Sequence, residues 1–163
     1  MNFSDLKLVS CNSCNDWDEF IDKSPDGNIF STSQYLNNYE GKILKIFFKN
    51  KDEILAAAIL VNSSKVPLPF SAYQGLYLPK IYGKNHSINN KRFKILEAFL
   101  NCLSNDYPSH SFCLNHTFYD IRAFKWHNYH SREKGTYSFE IFYTGIINLF
   151  EFKNFDSYLK SIR

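Results

Sequence analysis

Apolar and polar positions follow two rhythms along this chain, and the switches between them outline its elements. Leu6–Ser10 alternates and predicts a short strand. Trp17, Phe20 and Ile21 then recur at helical spacing, with Asn15 or Asp16 as the expected cap. Ser24-Pro25-Asp26-Gly27 closes that helix as a turn, and a second short helix is expected around Ser33–Tyr39, capped by Ser31 or Thr32. Ile43–Lys49 and Glu53–Val61 predict a hairpin across Asn50-Lys51-Asp52. Its second arm is almost continuously apolar, as in a central strand buried on both faces. Pro67 and Pro69 break the pattern, and Gln74–Leu78 resumes it as a short strand closed by Pro79. Tyr82–Ser87 reads as a polar loop, followed by a long helix from Asn89 or Asn90 to Ser104 with a wide apolar stripe. Ser111–Asn115 predicts a strand, and His116–Lys134 an irregular aromatic stretch. Thr136–Leu149 carries the clearest period-two signal of the chain, with a bulge or bend at Thr144-Gly145. Asn154 is placed to cap a last helix bearing Phe155, Tyr158, Leu159 and Ile162.

The order of these elements is neither strict strand–helix alternation nor all-β. It predicts an α+β domain with a mixed, mostly antiparallel sheet covered by helices. Length agrees: 163 residues make one domain with a core large enough to need no staples. The longest apolar run, Ile54–Val61, is far short of the roughly 20 residues that a bilayer crossing requires. Met1-Asn2-Phe3-Ser4-Asp5 lacks the basic and apolar regions of a secretory signal, so a soluble, cytoplasmic protein is expected. The last helix would reach Arg163 after about 2.5 turns without a Gly or Pro stop, the pattern expected of the front part of a longer protein.

Charge is unevenly spread. Residues 1–41 hold 7 acidic and 2 basic side chains, whereas residues 42–94 hold 10 basic and 2 acidic. A basic middle third suits an anionic ligand, but it equally suits the solvated faces of strands and a helix. Lys outnumbers Arg 15 to 4, and Phe and Tyr are abundant at 16 and 11, so any single aromatic or lysine carries less functional information than usual. Nucleic acid is not an expected partner on these numbers.

Cys11-x-x-Cys14 has the spacing of a zinc or redox pair. A second such pair is missing from the chain, His127 and His130 are remote in sequence, and Asp16, Asp18 and Glu19 would disfavour a thiolate. No metal site is expected. Cys102 and Cys113 read as small core residues.

Three stretches resemble FemAB-type proteins, which include the peptidoglycan interpeptide-bridge aminoacyltransferases and their acyl-CoA-using relatives. The first is Trp17-Asp18-Glu19-Phe20 followed by Pro25-Asp26-Gly27-Asn28-Ile29-Phe30-Ser31-Thr32-Ser33-Gln34-Tyr35-Leu36. The second is Asp120-Ile121-Arg122-Ala123-Phe124-Lys125-Trp126-His127-Asn128-Tyr129. The third is Tyr143-Thr144-Gly145-Ile146-Ile147-Asn148-Leu149 with Phe155-Asp156-Ser157-Tyr158-Leu159-Lys160-Ser161-Ile162-Arg163. The resemblance implies a GNAT-like domain spanning residues 1–163, the first half of a two-domain protein. It implies N-acyl transfer, in which an amine attacks a thioester or an aminoacyl ester, with acyl-CoA or aminoacyl-tRNA as the donor of the parent protein. No cofactor is expected in this chain itself: none of its six glycines falls in a G-x-G turn that would cradle a pyrophosphate. The implied partners are a small-molecule or peptidoglycan-precursor acceptor and a second GNAT-like domain or a homodimer mate, with tRNA the one nucleic acid that fits, as donor.

Seven residues are the candidates for substrate binding. Trp126, His127, Asn128 and Tyr129 form the densest polar–aromatic cluster and fall in an expected loop; they offer stacking, an imidazole and an amide, or else simply pin that loop. Arg122 would clamp a carboxylate or phosphate, or pair with Asp120. Tyr73 and Gln74 precede Gly75, which would allow close approach of a ligand or only serve a turn. No catalytic base is assigned. Strings for a Ser-nucleophile elbow, a phosphate-binding loop or a zinc protease are absent. The expected function is the acceptor-side domain of a transferase; the rival is a non-catalytic binding or self-associating module of the same fold.

Overall fold

The computed structural model describes residues 5–39, 43–61, 73, 75–116, 118–143, 145 and 151–162. Its centre is a four-stranded antiparallel sheet in the order β1 (Leu6–Ser10), β2 (Ile43–Asn50), β3 (Glu53–Val61), β4 (Leu76–Tyr77). With the five α-helices of the described residues added, the fold is α+β, and every ladder among those residues is antiparallel.

The long apolar arm of the hairpin lies in the middle of the sheet, as its sequence predicts, with Leu55–Leu60 buried. Phe48 pairs with Ala56 and Lys49 with Ile54, so Leu55 bulges out of register. The bulge turns Leu55 and Ala56 toward the same side, and alternation resumes beyond them. Each face then has its own core. On one, Ile46, Phe48, Ala58 and Leu76 pack against helix α3 (Asn85–Asp106) and helix α4 (Arg122–Trp126). On the other, Phe47, Ala57, Ile59 and Tyr77 pack against helix α1 (Cys14–Lys23) and helix α2 (Ser33–Leu36). The three alanines of β3 make room for rings on both sides. Phe47, Ala57 and Tyr77 form one cross-strand row. Trp17 covers that row, stacked on Phe47 at 5.6 Å and edge-on to Tyr77 at 6.2 Å.

Helix boundaries depart from the sequence reading where caps were misassigned. Helix α1 starts earlier, because the Ser13 hydroxyl accepts from the Asp16 N–H and takes the capping role expected of Asn15 or Asp16. Helix α3 starts at Asn85, inside the expected polar loop; Asn89 is an interior position whose Oδ1 accepts from the Tyr119 hydroxyl at 3.2 Å. Helix α2 is capped by Thr32, one of the two expected residues. The last helix, α5 (Phe155–Ser161), has the expected Asn154 cap, completed as a reciprocal capping box with Ser157.

Two expected strands are not in the sheet. Ser111–Asn115 runs beside β4 without a ladder; a Cβ built on Gly75 would lie only 3.1 Å from the Cα of Phe112. Thr136–Tyr143 is likewise outside any ladder. A period-two pattern makes a strand only where a neighbour accepts its hydrogen bonds, and here Tyr137 alone is drawn into the core. Thr144, residues 146–150 and the prolines at 67 and 69 lie outside the described residues, so the expected bend at Thr144-Gly145 is not described. The stretch His116–Lys134, expected to be irregular, contains α4 and a single 3₁₀ turn at Arg132–Lys134.

Candidate functional site

The structure gathers the candidates of the 122–129 stretch around the ends of α3 and α4, but commits most of them to internal contacts. Arg122 forms a two-point pair with Asp120, Nε to Oδ1 and Nη2 to Oδ2, both at 2.8 Å. The same carboxylate accepts the Arg122 backbone N–H at 3.2 Å. These donors hold the Asp120 carboxyl below its ordinary range, and the carboxylate holds the guanidinium proton more tightly. The guanidinium also lies over the Phe93 ring at 5.3 Å. The pairing reading of Arg122 therefore matches its geometry. Trp126 rests its edge on Phe93 and leaves 58% of its surface exposed. Tyr129 is exposed too, with Arg132 over its ring at 5.3 Å.

His127 and Asn128 turn inward. Asn128 adopts φ 53°, a left-handed conformation that Asn tolerates better than most residues. Its amide donates to the Gly135 carbonyl at 2.9 Å, which orients the group, and to His127 Nε2 at 3.1 Å. The same Nε2 lies 2.8 Å from the Ser104 hydroxyl. A Ser–His pair at this distance is the first requirement of a nucleophile and its base. Ser104 Oγ, however, is turned back on its own helix, 2.7 Å from the Leu100 carbonyl, and neither cavity described below touches it. The pair belongs to a half-buried polar knot with His110 and Tyr137, members that the sequence reading did not single out.

Tyr73 belongs to another set of contacts. It has φ 56°, its ring meets His116 at 5.6 Å, and its carbonyl accepts from the Asn28 amide at 3.2 Å. Gln74 lies outside the described residues.

Asn28 leads to an open cleft. This cleft of about 470 Å³ lies between the C-terminal half of α1 and the start of α2, lined among others by Asp18, Asp22, Gly27, Asn28, Thr32 and Gln34. None of the six described candidates lines it, although Tyr73 is one hydrogen bond away through Asn28. Its walls are fixed from behind. Gly27 packs so closely that a Cβ would fall 2.0 Å from the Ile21 carbonyl oxygen. Ser24 Oγ donates to the Leu78 carbonyl at 2.7 Å, and the Leu78 N–H reaches Asp26 Oδ2 at 3.4 Å. Asp26, buried, also pairs with Arg92 of α3 at 3.5 Å. Trp17 Nε1 donates to the Ser31 carbonyl at 2.7 Å, and Ser31 Oγ to the Tyr77 hydroxyl at 2.8 Å. On the rim, Asp18 Oδ1 accepts the Ser33 N–H at 2.6 Å, while Asp22 is exposed. A second cavity, lined by Arg92, Phe118 and Asp120 among others, measures about 10 Å³, room for one water.

Comparison with known protein families, with curated proteins and with solved structures gives no match. Among the described residues, no group of three His, Cys, Asp or Glu side chains could hold a metal ion, and no helix is long and apolar enough to cross a membrane. Burial raises the Cys11 thiol above its ordinary range.

The cleft was not legible as a site in the sequence. Its signal was the polar turn Ser24–Asn28 between two short helices, which reads on its face as a connection and nothing more.

Proposed function

We propose that this chain is the acceptor-side domain of a FemAB-type N-acyl or aminoacyl transferase, and that the cleft between α1 and α2 receives the amine-bearing acceptor. The observation that carries the reading is the cleft itself. It has the size of a small-ligand site, its back wall is held by buried hydrogen bonds, and its rim bears the carboxylates of Asp18 and Asp22. An acceptor amine is protonated in water, so a carboxylate rim attracts it and orients its nitrogen. The antiparallel sheet with helices on both faces supports the reading as the layered arrangement that the resemblance implies. In the transfer, the bound ammonium first gives one proton to water, the neutral amine attacks a thioester or aminoacyl carbonyl, a C–N bond forms, the C–S or C–O bond to the carrier breaks, and the leaving thiolate or alkoxide takes up the second amine proton. The donor, acyl-CoA or aminoacyl-tRNA, belongs to a second GNAT-like domain or a dimer mate, and the isolated chain is catalytically silent.

Calorimetric titration tests this reading with a short peptide carrying a free side-chain amine, against the same peptide N-acetylated. Binding of the free amine alone, weakening with salt, is expected. Equal binding of both peptides, or of neither, overturns it.

A second reading rests on a different observation. Phe139, Ile141, Phe142 and Tyr143 are all exposed, Tyr143 to 96%, which suits a self-associating module. Sedimentation velocity distinguishes it: dimers that Ile141→Ser and Phe142→Ser abolish would favour the module.

A further inference from the structure

Three lysines and an exposed thiol share the side of the sheet that α1 covers. Along β2, Lys45 and Lys49 flank Phe47, the ring that stacks on Trp17. The Lys45 ammonium lies 5.9 Å from the centre of the Trp17 ring, and the Lys49 ammonium 5.7 Å from that of Phe47. Lys7 of β1 stands directly opposite Lys49 in the ladder. Side chains opposite one another share a face, and like charges so placed repel. Among the described residues, no carboxylate comes within ion-pair distance of any of these three ammonium groups. Lys45 meets a thiol instead. Its Nζ lies 3.8 Å from Cys14 Sγ and donates to Ser33 Oγ at 3.1 Å. Cys14 is exposed and is the first residue of α1, where the free backbone N–H groups add positive character. We propose that Cys14 is a reactive cysteine whose lysine surroundings select anionic disulfides, so that the chain takes up a small acidic thiol there as a mixed disulfide.

The two thiols of the Cys-x-x-Cys pair have different places. Cys11 continues β1, its N–H donating to the Lys45 carbonyl at 2.8 Å, and its buried Sγ donates to the Ser13 carbonyl at 3.3 Å. Of the pair, only Cys14 is open to a reagent from solvent. The carboxylates of α1 that oppose a thiolate are in part engaged: Asp18 accepts the Ser33 N–H at 2.6 Å, and Glu19 pairs with Lys23. Asp16 is exposed and is the acidic residue of the first turn. Neither Cys14 nor Lys45 lines the cleft, so this is a second site, independent of the acceptor reading.

The reaction is thiol–disulfide exchange, and the thiolate is the attacking form. Cys14 gives its proton to water, and its sulfur attacks one sulfur of a disulfide R–S–S–R. A bond forms between Cys14 Sγ and one R–S group, the original S–S bond breaks, and R–S⁻ leaves and takes a proton from water. The Cys14 sulfur is oxidised and the leaving sulfur is reduced. The ammonium groups act on the approach, raising the local concentration of a reagent of opposite charge.

The test compares initial exchange rates of the 163-residue chain with oxidised glutathione, an anionic disulfide, and with cystamine, a cationic one. Each rate is divided by the rate of the same reagent with N-acetylcysteinamide, a neutral thiol. At one pH the ionised fraction of Cys14 is common to both reagents, so the ratio of the two normalised rates reads the field around the sulfur. At low ionic strength oxidised glutathione should lead cystamine about tenfold, and the ratio should fall toward one in roughly 0.5 M salt. Peptide mapping should place the glutathione on Cys14. Lys45→Gln should cut the ratio severalfold, and Lys49→Gln should cut it less. A ratio at or below one in the wild-type chain overturns the proposal, as does an adduct mapped to Cys11, Cys102 or Cys113 in place of Cys14. So does an unchanged ratio in a Lys45→Gln chain that keeps the wild-type circular dichroism. The first two readings use the wild-type chain and do not depend on a variant folding.

Discussion

The carboxylate of Asp26, 1% exposed, reaches the guanidinium of Arg92 across 3.5 Å and ties the turn after α1 to helix α3 on the far face of the sheet. The same carboxylate meets the Leu78 N–H at the end of β4. One side chain therefore registers both helical layers against the sheet and sets the back of the cleft. Asp26→Ala leaves a buried donor and a largely buried cation without this partner, and should cost about 3 kcal/mol. Arg92→Ala leaves the carboxylate, 1% exposed, without this cation and should cost a comparable amount. Urea unfolding at neutral pH measures both, and a loss below about 0.5 kcal/mol for either would contradict this account of the turn.

Trp17 covers the Phe47–Ala57–Tyr77 row and donates to the Ser31 carbonyl. Trp17→Ala should destabilise by about 3–5 kcal/mol, the range for a buried ring removed to leave a cavity. Trp17→Phe keeps part of the packing but strands the Ser31 carbonyl, and should cost roughly half as much. Thermal and urea unfolding check the order.

Gly27→Ala is the sharpest probe of the cleft wall. Its Cβ would meet the Ile21 carbonyl oxygen at 2.0 Å, a backbone atom that moves only with helix α1. A loss of about 2–3 kcal/mol is expected, at the upper end for overpacking. Amide shifts should change at residues 18–34 while β2 and β3 keep theirs. Undisturbed shifts in α1 would contradict the packing.

The hairpin was legible because an eight-residue apolar run between two turn signals has few other solutions in a domain this size. The Asn154 cap was legible because capping is local. Ser111–Asn115 and Thr136–Tyr143 look like strands to the same local logic, but a ladder needs an edge, and that information lies in other parts of the chain. Helix α4 was hidden for the converse reason: five residues have almost no helical tendency alone, and burial of Ala123 and Phe124 makes the helix. For the candidate site, the sequence marked His127 and Asn128 but not their partners Ser104, His110 and Tyr137. The cleft escaped because its shape depends on Asp26 meeting Arg92, residues far apart in sequence.

At the rim of the cleft, Asp22→Asn removes an exposed carboxylate without touching a described internal contact. Stability should change by less than about 0.5 kcal/mol, as for most surface substitutions. Affinity for an amine-bearing peptide should fall severalfold, and the salt dependence of binding should flatten. Calorimetry at two ionic strengths reads both.

The location of the amine site decides the central claim most directly. The measurement is a ¹⁵N NMR titration of the 163-residue chain with a short peptide bearing a free side-chain amine. The account predicts shifts concentrated at Asp18, Asp22, Gly27, Asn28, Thr32 and Gln34, and their loss in Asp22→Asn. Shifts centred instead on Arg122–Tyr129, or spread evenly over the surface, would contradict it.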